Sequence, residues 1–144
     1  MAHDRRVVPF RPAHYRWLVE KPSFGDLDFA VTDDVLRELE KTGKWFTGVV
    51  DGEPIAIAGV LPQWPGRNTV HAILGSDTGP HMLWITREVR KVLDTLKGRV
   101  EMTVRCDFDA GRRWAAMLGF DVETPRMLGY GPQGEAHTMY VRFN

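Results

Sequence analysis

The residues from Met82 to Cys106 constrain the fold most, because the apolar period switches there from helical to extended. Met82, Ile85, Val89, Val92, Leu93 and Leu96 recur at steps of three and four, one buried stripe of an amphipathic helix. Gly98 closes that stretch. Val100, Met102, Val104 and Cys106 then alternate with Glu101, Thr103 and Arg105, the two-residue period of a strand. Upstream, Asn68–Leu74 also reads as a strand. A strand, a helix and a second strand in series pack as a right-handed crossover between parallel neighbours. A further helix follows, with Ala110, Trp114, Met117 and Leu118 on its apolar side, Asp107 or Asp109 as its cap and Gly119 at its end.

The flanks read more simply. Val7–Phe10 is a strand, and Pro12 leads into a helix over Ala13–Glu20. Lys21–Phe29 is a loop. Thr32 or Asp33 caps a helix over Asp34–Lys41 that stops at Gly43. Trp45–Val50 and Glu53–Leu61 form a hairpin around Asp51-Gly52. Pro62–Arg67 is a loop, and Asp121–Leu128 and Ala136–Phe143 are the last two strands. The order is β-α-α-β-β-β-α-β-α-β-β. It predicts one α/β domain over residues 1–144, with a mixed sheet covered by helices on both faces.

Charge excludes some functions. Residues 1–72 carry 9 Lys/Arg and 10 Asp/Glu, and the whole chain is formally neutral, so the basic stripe of a nucleic-acid binder is missing. Cys106 is the only cysteine, which excludes an internal disulfide and a paired-cysteine metal site. No metal is expected. The polar start and the lack of a long apolar run argue against a signal peptide or membrane span and for the cytoplasm.

A few residue groups carry chemistry. Gly75-Ser76-Asp77-Thr78-Gly79 is a polar turn directly before Pro80 and a helix. Helix N-termini gather partial positive charge and free amides, so this turn suits an anion or serves only as a cap. His71 lies on the preceding strand, where an imidazole can accept a proton or simply pack. Glu101 and Asp107 are weaker bases, and Asp107 is equally a helix cap. Tyr130 and Tyr140 in the last hairpin are proton donors or packing residues. Asp26 and Asp28 in the first long loop could attract a cationic amine or merely keep the loop solvated. Trp64, between two prolines, is an exposed anchor for a partner. The other tryptophans (17, 45, 84, 114) are mostly core by position, and Cys106 is core as well.

Ala110-Gly111-Arg112-Arg113-Trp114-Ala115-Ala116-Met117-Leu118-Gly119-Phe120, set in this element order, resembles the GNAT superfamily of acyl-CoA N-acyltransferases. Phe10-Arg11-Pro12-Ala13-His14, Glu53-Pro54-Ile55-Ala56-Ile57-Ala58-Gly59 and the run from Ile85 to Phe120 are similar to the GNAT-like internal virion proteins (protein A type) of short-tailed podophages. The first resemblance implies acyl transfer from acetyl-CoA to an amine on a small molecule or protein. Ile73, Leu74, Gly75, Ser76, Thr78, Gly79 and His81 would then hold the cofactor, and His71, Asp107 and Tyr130 would be the catalytic candidates.

The chain also departs from the family. Of the Gln/Arg-x-x-Gly-x-Gly/Ala loop, only Gly79 matches. Pro80 removes an amide donor, and Asp77 puts negative charge where diphosphate would lie; a protonated His81 would partly offset it. Ala115 stands at the family's tyrosine, and its asparagine falls near Asp107 or Phe108. The second resemblance implies a phage-encoded protein, in host cytoplasm or virion. The missing tyrosine and poor loop favour a different role for it: a GNAT-fold protein that has lost catalysis and acts by contact with a host or virion protein.

Overall fold

The structure, a computed structural model, describes residues 2–20, 23, 24, 27 and 29–144. Its elements are β1 (Arg5–Pro9), α1 (Pro12–Val19), β2 (Ser23–Phe24), α2 (Asp33–Thr42), β3 (Trp45–Val50), β4 (Glu53–Trp64), β5 (Arg67–Gly75), α3 (Met82–Leu93), β6 (Arg99–Arg105), α4 (Asp109–Met117), β7 (Asp121–Met127) and β8 (His137–Phe143). A 3-10 turn, Gly79–His81, leads into α3. The fold is mixed α/β. Seven strands run in the order β1-β3-β4-β5-β6-β8-β7, and two-residue β2 pairs with β5. The chain forms two compact units, Met1–Val60 with His71–Glu88, and Leu61–Val70 with Val89–Asn144.

In the first unit, neighbouring residues of β3 show where the helices go. Thr47, fully buried, meets His14 of α1, Oγ1 to Nδ1, at 2.7 Å. Gly48 faces the ring of Trp84 on α3 at 3.5 Å from where a Cβ would stand. Successive strand residues point to opposite faces, so α1 and α3 cover opposite sides, as expected. Trp45 shares the face of Thr47 and lies flat against β4, because Gly59 has no Cβ to collide with its indole. Thr32 caps α2 by accepting the Val35 amide at 3.2 Å, and Gly43 ends it at φ 68°. The cap of α1 was not legible in advance. His14 reaches back to accept the Arg11 amide at 3.1 Å.

In the second unit, β6 pairs antiparallel with β8 from Arg99↔Phe143 to Arg105↔His137. It pairs parallel with β5 at Arg67↔Arg99, Asn68↔Val100 and Thr69↔Glu101, the parallel pair that the crossover requires. Helix α4 ends in two nested bonds, Gly119 N–H to Ala116 O and Phe120 N–H to Ala115 O, both near 3.0 Å. These satisfy its last carbonyls and turn Phe120 into the core beside Leu118. Gly111 is required at its place because a Cβ would strike Phe108 and Val104.

Several expectations are corrected. Strand β4 continues to Trp64, so the hairpin turn is only Pro65 and Gly66. Trp64 is therefore on a strand end, although 59% exposed as expected, with the Arg67 guanidinium 4.7 Å from its ring centroid. Trp45 and Trp114 are core, but Trp17 is 41% exposed. Cys106 is only partly buried. Phe108, not an aspartate, occupies the N-cap of α4. Asp26 and Asp28 lie outside the described residues.

Candidate functional site

The turn after β5 is built from its own hydrogen bonds. The Thr78 hydroxyl, nearly buried, donates to Gly75 O at 2.9 Å. The Thr78 amide reaches the same carbonyl at 3.4 Å, and the His81 amide donates to Thr78 O at 2.8 Å. The Met82 amide bonds Gly79 O, and Pro80 has no amide to give. This leaves Ser76, Asp77 and Gly79 as the amides with no carbonyl acceptor among the described residues. A Cβ placed on Gly79 would meet nothing within 4 Å. Amides without a carbonyl acceptor among the described residues, open space and the positive end of α3 therefore coincide. Ile73 and Leu74 lead into the turn, with the Ile73 side chain buried. Leu74 and Gly75 also pair with Phe24 and Ser23 of β2.

His81 does not add the positive charge expected of it. Its ring is buried, and its Nδ1 accepts from Arg5 Nε at 3.0 Å. Burial, then Arg5 and His3, hold its pKa below the usual histidine range. Asp51 is engaged in turn, accepting from the Asp4 amide at 2.9 Å and lying 2.8 Å from His3 Nδ1. His71 sits in the same unit between two aromatic rings, stacked on Trp45 at 5.8 Å and edge-on to Phe29 at 5.5 Å.

The second unit holds the carboxylates. Glu101 lies on the expected polar face of β6 yet is 4% exposed. Arg67 donates to it through Nε at 2.6 Å and Nη2 at 3.0 Å, and Arg99 Nε donates at 2.9 Å. Arg99 also makes a two-pronged pair with Glu123 at 2.7 and 2.5 Å. The Arg67 hydrogen bond, with help from Arg99, holds Glu101 below the usual carboxylate range, so it is a poor proton acceptor. Asp107 is similar: Arg105 binds both its oxygens at 3.2 and 3.1 Å and lowers its pKa. Tyr130 is 42% exposed and leans on the ring of His137, with centroids 4.9 Å apart. Tyr140 is buried, its hydroxyl 3.4 Å from Arg112 Nε. Ala115 has no exposed surface.

The structure thus gathers Ile73 to His81 at one turn and places His71 on the strand before it. Asp107 and Tyr130 belong to the other unit. Sequence reasoning missed Glu135 and His137. The signal was present: an acid and a histidine two residues apart, where a glycine-rich loop enters a strand.

No protein-family model matches the chain, and no curated protein sequence does. Solved structures do match in fold. A ribosomal-protein-S5-alanine acetyltransferase from Vibrio fischeri superposes with a TM-score of 0.70 at 15% identity, covering 97% of this chain and 93% of that one. A chain of the NatC complex bound to Gag peptide and CoA gives a TM-score of 0.74 at 13% identity, covering 98% and 99%. A GNAT-family acetyltransferase from Bacillus anthracis gives 0.67 at 11% identity, covering 96% and 94%. The chain has the GNAT acetyltransferase fold. Among the described residues, no helix is long and apolar enough to cross a membrane.

Proposed function

We propose that this chain is an N-acyltransferase that moves an acyl group from acetyl-CoA to an amine. One observation carries the reading: among the described residues, the Ser76, Asp77 and Gly79 amides meet no carbonyl at the turn before α3, and open space lies beside Gly79. A diphosphate is a good match for such donors. The fold supports the same reading, since one structure that shares it is of a complex bound to CoA. Fold alone does not fix chemistry.

The Ser76, Asp77 and Gly79 amides would hold the diphosphate. Thr78 serves the turn rather than the ligand, since its hydroxyl is spent on Gly75 O. When bound, acetyl-CoA supplies a thioester, an acyl carbon already activated toward an amine. His71, fixed between Phe29 and Trp45, is the residue we assign to take the proton that the amine sheds. The departing thiolate takes its proton from solvent, and Tyr130, which belongs to the other compact unit, is given no part in the step. Asp107 is left out of the chemistry because Arg105 stabilises its charged form.

A second reading has its own support. Ala115 is fully buried where the resemblance places a tyrosine, so no hydroxyl projects from that position. A protein of this fold that had lost catalysis, such as a phage virion component or a modulator of a host protein, would then act by contact, with exposed Trp64 as an anchor.

Native mass spectrometry of the purified protein separates the readings. Copurified or added CoA bound one to one, followed by acetyl transfer to amine probes, is the result expected of the enzyme. CoA binding without transfer to any probe supports the contact reading. Absence of CoA binding removes the acyltransferase proposal.

A further inference from the structure

His137 opens β8 and its side chain is only 2% exposed. Its Nδ1 lies 3.3 Å from Thr103 Oγ1. Its Nε2 is buried without a hydrogen-bond partner. An unpaired polar atom in such a place is costly to bury, so its partner is the question to ask. The nearest carboxylate oxygen, Glu135 Oε1, stands 3.7 Å away, beyond hydrogen-bond reach.

Glu135 is held firmly. Its Oε2 accepts the Gln133 amide at 2.9 Å. Its chain fills the space over Gly131, where a Cβ would collide with the carboxylate. The loop closes around it through Gly131 N–H to Glu135 O at 3.0 Å and Gly134 N–H to Gly131 O at 2.9 Å. Its own amide and that of Gln133 keep it ionised below the usual carboxylate range. The other charges nearby are Arg105 and Asp107, which pair with each other. Tyr130 completes the group, 42% exposed, its ring tilted against the imidazole with centroids 4.9 Å apart.

We propose that Tyr130, Glu135 and His137 form a binding site for a primary ammonium group. Two acceptors, Glu135 Oε1 and His137 Nε2, stand 3.7 Å apart and are matched by one multi-proton donor. The Tyr130 ring offers the face that attracts a cation. Thr103 Oγ1 holds the imidazole from its other side, accepting from Nδ1–H when the proton-free Nε2 accepts from the ammonium. The site lies within the second compact unit and goes beyond the acyltransferase reading, on which only the use made of the amine would rest.

The test is a titration of the full chain with n-butylammonium, and separately with n-butanol, followed by amide NMR shifts at Thr103, Tyr130 and His137. The site predicts saturable shifts with n-butylammonium and none with n-butanol. Glu135→Gln should weaken binding at least about tenfold, since a largely covered charge partner is removed. Tyr130→Ala should weaken it less, and it serves as the check if the first variant unfolds. Equal shifts with both probes, no saturation, or unchanged affinity in both variants overturns the site. CoA binding is measured on the same samples. Ammonium binding without CoA binding keeps the site and rejects the acyltransferase. CoA binding without ammonium binding rejects the site and keeps the acyltransferase.

Discussion

The turn at Gly75–His81 and the charge cluster around Glu101 use polar groups in opposite ways. In the cluster every charge is answered: Glu101 holds Arg67 and Arg99, and Arg99 holds Glu123. In the turn three amides point to no carbonyl among the described residues, and the space beside Gly79 is empty. A saturated buried cluster is architecture; it has nothing left to offer a ligand. Polar atoms left unsatisfied at a helix head are costly unless water or an anion answers them. The contrast teaches where function should be sought.

The largest expected effect comes from breaking the saturated side. Glu101→Ala leaves two arginines facing a nearly buried hole, and should cost about 2–3 kcal/mol in urea unfolding. Its CoA affinity, measured on the folded protein, should stay within twofold of the parent. A large loss of affinity at unchanged stability would merge the two regions that the comparison separates.

The same carboxylate sets an acid limit. Its folded-state pKa is depressed by Arg67 first, then Arg99. Its stabilisation is therefore complete above the ordinary value of 4.5 and fades as pH falls below it. Stability curves of the parent should drop through that window, and those of Glu101→Gln should start lower and drop less. Parallel curves would mean that Glu101 is not the group responsible.

Thr78→Val tests how the turn is held. It removes the hydroxyl that donates to Gly75 O at 2.9 Å, and should cost about 1 kcal/mol by thermal denaturation. CoA affinity should fall too, because the amides lose their arrangement. The smallest expected effect on stability is that of Gly79→Trp, within about 0.5 kcal/mol, since nothing lies near that Cβ. A glycine site that tolerates an indole without cost, yet loses at least tenfold in CoA affinity, would show the space belongs to a ligand.

Local rules carried most of the fold. The alternation of Val100, Met102 and Val104 gave β6, Thr32 gave the cap of α2, and Gly119-Phe120 gave the end of α4. The site was less legible because it depends on residues distant in the chain. Glu101 reads as a weak candidate base until Arg67 is brought across from β5, thirty-four positions away. His81 reads as a helix-head cation until Arg5, seventy-six positions away, donates to its Nδ1. Asp107 reads as a cap, but its neighbour Arg105 engages both carboxylate oxygens while Phe108 takes the cap position. Periodicity reports burial and facing; it cannot report which partner answers a charge.

Thermal unfolding with and without millimolar acetyl-CoA addresses the central claim most directly. Ligand at a hundredfold excess over its dissociation constant should stabilise the parent by about 2.7 kcal/mol, a rise of several degrees in Tm for a chain of this size. Gly79→Trp should start at the same Tm and gain almost nothing. An unmoved parent, or an equal gain in both proteins, would contradict the assignment of the open amides to a diphosphate.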